Sequence, residues 1–325
     1  MTARAGLAGR SVLVTGGAGF IGSHLVDRLL AEGVREVVVI DNLFLGSEAS
    51  LRDALATGRV TFYRDDAEIA SSLDYVFAAH DIDVVFNCAT KALNYSFVNP
   101  ANAFDTNVRV MLNLLELQRR GRFTTLCHFS TSEVYGTAVY EPMDEAHPRN
   151  PTTTYAAGKA AADLALESWV RMFGLDAFIV RPFNNYGPRQ NHVGPLAGVI
   201  PITAMRVLGG GRPEIHGDGG QSRDFIYVLD TVDAVLKLFA VLPAGESVNI
   251  STDNQVSIAD LVQRICDHFG YDGEIARLPA RTADVRCHNA SNAKAKALID
   301  YNLTPFDDGL ARTLEWYRHR IGTDA

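Results

Sequence analysis

Ser11-Val-Leu-Val-Thr15-Gly16-Gly17-Ala18-Gly19-Phe20-Ile21-Gly22 is the stretch on which the fold turns. Its first residues are apolar and β-favouring, and they read as a buried strand. From Phe20 and Ile21 onward the pattern is helical. Gly16, Gly19 and Gly22 therefore fall in the turn between strand and helix. Glycine there lets backbone approach a diphosphate closely, and the helix N-terminus offers unpaired N–H groups to it. A second strand ends in Asp41, followed by Asn42, about twenty residues on, which is the spacing a dinucleotide-binding unit requires. A carboxylate at that place accepts hydrogen bonds from ribose hydroxyls and repels a 2′-phosphate, so the expected cofactor is NAD rather than NADP.

The same texture repeats outward from this unit. Residues 11–14, 37–40, 60–63, 84–87, 125–129 and 178–181 read as short strands that are apolar on both faces. Such strands belong to a parallel sheet covered by helices. Helical patterns lie near 21–33, 101–120 and 155–173, with a further one in 66–80. The implied fold is α/β, a doubly wound parallel sheet with right-handed crossovers. Beyond about residue 186 Gly and Pro become frequent. The reading is thus a dinucleotide-binding domain over 1–185 and a smaller mixed α/β substrate lobe over 186–325, with a return strand of the first domain in 225–250. Asp65 and Asp66 follow the third strand, where they either reach an adenine or sit in a solvated loop.

Composition narrows the partners. The formal net charge is −8, which argues against nucleic acid. No apolar run is long enough to span a bilayer and no signal-peptide pattern opens the chain. The four cysteines, Cys88, Cys127, Cys266 and Cys287, show no metal spacing and read as reduced thiols of a cytoplasmic protein. His128, His192 and His216 fit no ligand motif, so no metal is expected.

Tyr155 and Lys159 stand four residues apart in Tyr155-Ala-Ala-Gly-Lys159, which puts them on one helix face. A tyrosine is a poor base at neutral pH unless its phenolate is stabilised. A neighbouring ammonium does this, as does the positive ring of an oxidised nicotinamide. Lowering the phenol by about 3 units requires about 4 kcal/mol. Just upstream lies Ser130-Thr131-Ser132-Glu133, a second candidate contributor to acid–base chemistry.

Taken with Arg181-Pro-Phe-Asn184-Asn-Tyr-Gly-Pro188, Gly217-Asp-Gly-Gly-Gln-Ser-Arg223-Asp224-Phe and Asp284-Val-Arg286, these motifs run through nearly the whole chain. In that order they resemble the extended short-chain dehydrogenase/reductase family, in its nucleotide-sugar epimerase/dehydratase branch. The resemblance implies that Thr131 hydrogen-bonds the sugar O4 beside Tyr155 and that Lys159 also holds the nicotinamide ribose. It implies substrate contacts from Asn184, Val199, Arg223 and Arg286, the two arginines matching diphosphate oxygens with their forked guanidinium groups. It also implies a homodimer built on the helices near 101–120 and 155–173, with Leu112, Leu115, Leu164 and Trp169 in the seam.

Enzymes similar to this chain begin by oxidising C4 of the sugar. In 4,6-dehydratases a glutamate at the position of Glu133 removes the C5 proton, and the residue before it, here Ser132, serves the departing C6 hydroxyl. The expected activity is therefore an NDP-hexose 4,6-dehydratase. A 4-epimerase, a UDP-glucuronate decarboxylase and a non-catalytic NAD- or sugar-nucleotide-binding protein are the alternatives. Ala89-Thr90-Lys91-Ala92 departs from common family patterns and brings Lys91 forward as a substrate contact near C6.

Overall fold

Strands with no polar alternation are stable only where both sheet faces are covered. In the computed structural model, which describes residues 4–280 and 289–321, the six runs become β1 Ser11–Thr15, β2 Glu36–Ile40, β3 Val60–Tyr63, β4 Val84–Asn87, β5 Thr125–Phe129 and β6 Asp176–Pro182. They pair in parallel with a seventh strand, Ser247–Ile250, in the order Ser247–Ile250, β6, β5, β4, β1, β2, β3. The doubly wound parallel sheet expected from the sequence is present. The helices between the strands are α1 Phe20–Ala31, α2 Arg52–Ala56, α3 Ala70–Ala79, α4 Pro100–Arg119 and α5 Thr154–Phe173. Of these five, only α2, a single short turn and a half, had no counterpart in the sequence pattern; the later helices Val199–Leu208 and Val228–Val241 had none either.

Side chains alternate across the sheet with a period of two, and two separate cores result. Val12 and Val14 face α1 and the helix Val228–Val241, packing with Leu25, Leu29, Val235 and Leu238. Leu13 points the other way, toward α3, α4 and α5, with Leu73, Leu114 and Leu166. A third core gathers Tyr186, Phe225, Leu261, Leu314 and Tyr317 from the later part of the chain. Residues beyond 186 thus supply a strand and a helix to the main sheet as well as a cluster of their own. From β1 the chain runs outward to β2 and β3, then crosses back to β4 on the other flank of β1. The carboxyl ends of β1 and β4 diverge there and leave a crevice.

The α4–α5 pair positions what the sequence singles out. Thr153 caps α5, its Oγ1 accepting the Ala156 N–H at 3.2 Å. Ser96 Oγ accepts the N–H of Tyr155 at 3.0 Å, satisfying one of the unpaired donors of the first helical turn. Gly158 lies where α5 crosses α4, and a Cβ there would stand 2.6 Å from the carbonyl oxygen of Phe104. Leu115 is fully buried and Trp169 packs against the same core. Leu115 therefore faces the sheet, whereas Trp169 is half-buried and packs on the edge of this core.

Gly158→Ala should force the two helices apart, with a loss of about 1–3 kcal/mol typical of overpacking. Thr153→Ala, which removes only a cap, should lose about 1 kcal/mol. Urea midpoints at unchanged slope would measure both. A Gly158→Ala midpoint equal to wild type would show that the crossing is not tight.

Candidate active site

The crevice is a cavity of about 430 Å³. Its walls bring together Gly16, Gly19, Phe20, Ile21, Gly22, Asp41, Asn42, Asp65 and Asp66 at one end. Thr131, Ser132, Glu133, Tyr155 and Lys159 line it as well, with Lys91 and Asn184. Val199 and Arg223 are not among the described residues that line it. Val199 begins a helix directly after Gly198, which does line it. The Arg223 Nη1 donates to the Ser222 carbonyl at 2.8 Å. Arg286 lies outside the described residues.

The glycine turn fits a dinucleotide on steric grounds. Gly16 has a φ of +69°, and a Cβ on it would meet the Ala89 amide nitrogen at 2.8 Å. A Cβ on Gly22 would lie 2.2 Å from the Gly16 carbonyl oxygen. The turn therefore holds its form only with bare backbone at these two positions, directly before and within the first turn of α1. The Asp41 carboxylate is tied to the turn, Oδ2 accepting from the Ala18 N–H at 3.0 Å and Oδ1 from the Leu43 N–H at 2.8 Å. Burial raises Asp41 above the usual carboxylate value, and these backbone donors oppose the rise. Asn42 Nδ2 donates to Asp66 Oδ2 at 2.7 Å, so the ends of β2 and β3 are joined across the cavity mouth.

At the other end, Thr131 caps a short turn of 3-10 helix, Ser132–Tyr135, its Oγ1 accepting the Glu133 N–H at 3.3 Å. The cap fixes Ser132 and Glu133 beside the end of β5. The hydroxyls of Thr131 and Thr90 lie beside the Tyr155 phenol and favour its ionised form. Lys159 is buried, and its Nζ donates to the Phe129 carbonyl oxygen at 2.7 Å.

The electrostatics depart from the sequence expectation. Burial pushes the Tyr155 phenol up to about 12, the Thr131 and Thr90 hydroxyls oppose this, and the Glu133 carboxylate adds to it. Desolvation of the phenolate outweighs any help from Lys159 in the protein alone. Burial also brings Lys159 down to about 8, against the opposing charge of Asp163. The neighbouring Cys88 thiol is pushed up to about 12 by burial, which makes it an unreactive thiol.

Lys91 lines the cavity, but its ammonium is engaged by groups that follow β2 and β3. It lies 4.2 Å from the centroid of the Phe44 ring and 3.8 Å from Glu68 Oε1. Sequence reasoning missed Thr90, Ser96 and Phe44, and the amides of Asn185, Gln190 and Asn191 that also line the cavity. Thr90 and Asn185 sat inside quoted motifs. Gln190 and Asn191 carried no signal of their own.

The family model for the NAD dependent epimerase/dehydratase family matches residues 12–251. A UDP-glucose 4-epimerase of Mycolicibacterium smegmatis is 34% identical over 313 residues, covering 95% of this chain and 98% of that protein. A dTDP-glucose 4,6-dehydratase of Streptomyces niveus is 32% identical over 315 residues, covering 94% and 92%. The crystal structure of a dTDP-glucose 4,6-dehydratase of Streptomyces venezuelae, with NAD bound, superposes with a TM-score of 0.90 at 31% identity, covering 96% of this chain and 98% of that one. The match spans nearly the whole chain, and the glycine turn and Asp41 carboxylate suit the cofactor: the chain belongs to the NAD-dependent epimerase/dehydratase family and its cofactor is NAD.

Proposed function

We propose that this protein is an NDP-hexose 4,6-dehydratase working through a 4-keto sugar. The observation that carries the reading is Glu133: its carboxylate lines the cavity and acts electrostatically on Tyr155. A 4-epimerase needs no base at C5, whereas a dehydratase does. NAD, held by the glycine turn, Asp41 and Lys159, would supply a hydride acceptor and, when oxidised, a positive charge.

The chain's own residues divide the work. Thr131 orients the O4 hydroxyl, and Tyr155 takes its proton as C4 gives up hydride. In the free protein Tyr155 is a neutral phenol, so it acts as base only with a cation beside it, which Lys159 and the oxidised cofactor ring provide together. The new ketone acidifies C5–H, and Glu133 removes that proton. The C6 hydroxyl then departs as water with the proton that Glu133 took from C5, passed on by way of the Ser132 hydroxyl. Solvent supplies the proton that returns to C5, and the bound cofactor would give back at C6 the hydride taken from C4, with no net redox change. Asp41 holds the adenosine ribose, Asp65 and Asp66 border the adenine, and Asn184 serves the substrate diphosphate. The nucleotide end is closed by Asn185 and, from the lobe after residue 186, by Gln190 and Asn191. Lys91 has no part at C6 in this reading, because Glu68 and Phe44 engage it.

A 4-epimerase is the second reading. It is favoured by the 34% identity to a UDP-glucose 4-epimerase and by Ser132, a weak acid where a strong proton donor would suit dehydration. The chain also forms a homodimer in this proposal. The outer faces of α4 and α5 leave Leu112 at 39% and Leu164 at 51% exposed. A second copy is the natural cover for such a pair of apolar stripes.

Mass measurement after incubation with a panel of nucleotide sugars tests the main reading. Loss of water is expected; an isomer of unchanged mass would replace it with the epimerase reading. Tyr155→Phe should lose C4 oxidation by at least about 100-fold, the scale of general-base contributions, while NAD still binds. Full activity in that variant would assign the base elsewhere. Glu133→Gln should accumulate reduced cofactor with a 4-keto hexose, and solvent deuterium should no longer enter C5. Undiminished water loss by Glu133→Gln would show that another group takes the C5 proton. Light scattering at micromolar concentration should give the mass of two chains, and Leu164→Glu should give one. A monomeric wild type would end the dimer proposal.

A further inference from the structure

We infer that Asp163 is a positioning residue of the acid–base pair: clamped by Arg181, it supplies the buried negative charge that keeps Lys159 an ammonium beside Tyr155. The inference rests on the proposed roles of Tyr155 and Lys159.

Lys159 is enclosed, with 2% of its surface exposed, and its Nζ donates to a neutral carbonyl oxygen, that of Phe129. A buried ammonium with only a carbonyl for support tends to lose its proton. Asp163 lies four residues on, on the same face of α5, and has no exposed surface. Its Oδ2 accepts from Arg181 Nε at 3.1 Å and Nη2 at 3.0 Å. The third arm of the guanidinium is also engaged: Nη1 donates to the Tyr135 hydroxyl at 3.0 Å and to Ser247 Oγ at 2.9 Å. Asp163 is therefore fixed in place by β6, not by solvent. Its other oxygen, Oδ1, faces His128 Nε2 at 3.7 Å.

His128 contributes no competing charge, and its hydrogen bonds say why. Thr15 Oγ1 donates to Asn87 Oδ1 at 2.7 Å. The Asn87 amide nitrogen is thus left to donate to His128 Nδ1, at 3.2 Å. The proton of the neutral ring then sits on Nε2, which lies 3.7 Å from Asp163 Oδ1, beyond hydrogen-bond distance. Burial, with the charges of Lys159 and Arg181, holds His128 well below its ordinary value.

The titratable and charged groups around Lys159 are Tyr155 and Asp163 on α5, Cys88 after β4, His128 on β5 and Arg181 on β6. Tyr155 and Cys88 are held protonated and His128 neutral. Asp163 is the chief group opposing the loss of the Lys159 proton, which burial brings down to about 8. Without it, Lys159 loses the main charge that opposes its desolvation, and Arg181 keeps only Glu167, at 4.0 Å. Lys159 would then discharge at lower pH, and the alkaline limb of turnover would move down with it.

The test is the pH profile of kcat for the NAD-loaded chain, alongside a carbon-13 NMR titration of the Lys159 side chain, assigned by its loss in Lys159→Met. Asp163→Asn should lower both the alkaline limb and the Lys159 titration by about 1–3 pH units, the size of one nearby opposite charge. KM should change little, and Asp163→Glu should restore most of the profile. Because Asp163→Asn leaves Arg181 buried without its partner, the double variant D163N/R181M removes both charges and keeps the volume. It should show the same direction of shift. Lys159 titrating at the wild-type pH in both variants would overturn the inference. Full turnover by Tyr155→Phe would instead overturn the reading of the base, and the NMR titration would still decide the role of Asp163.

Discussion

A close approach between two pieces of backbone shapes the site. Gly16 turns at positive φ directly against the segment after β4, with no room for a side chain between its Cα and the Ala89 amide. This contact exists because β1 and β4 are neighbours in the sheet while β2 lies on the other flank of β1. The chain must leave β1 in one direction and leave β4 in the other, and the crevice opens between them. Thr15 ties the two strand ends together, donating to Asn87 and accepting from the Ala89 N–H at 3.3 Å. Every group that lines the cavity is placed relative to this junction.

Burial governs the chemistry of the pocket. It raises Tyr155 and Cys88 and lowers Lys159 and His128, so each group is driven toward its neutral form. Asp163 is raised by burial as well, and the Arg181 guanidinium opposes that rise. Arg181 and Asp163 pair across α5 and β6 at 3.0 Å with almost no exposed surface. Buried pairs of this kind gain little net stability over apolar packing.

The helix pair α4–α5 links packing to this control. Its crossing at Gly158 is one residue from Lys159 and three from Tyr155, so the depth of the crossing sets where both side chains emerge. The Ser96 hydroxyl on the Tyr155 N–H adds a third fixed point, from the turn after β4. Close packing transmits small displacements because protein interiors compress little.

The sequence by itself determined the parallel sheet, because apolar runs on both faces admit no other neighbour than covering helices. It determined the cofactor turn, since glycine spacing and Asp41 act over a short stretch of chain whose geometry is local. It also determined that Tyr155 and Lys159 share a helix face, which the helical period alone guarantees. What depended on distant segments was not legible. Leu115 had the apolar character of a seam, but the pitch of α4 and α5 against the sheet buried it in the core. The company of Lys91 was not legible, because Phe44 and Glu68 come from the ends of β2 and β3. Thr90, Gln190 and the path from Thr15 through Asn87 and His128 to Asp163 join residues far apart in the chain. The direction in which Tyr155 titrates was decided by tertiary structure as well, because desolvation depends on how completely the whole fold excludes water from one hydroxyl.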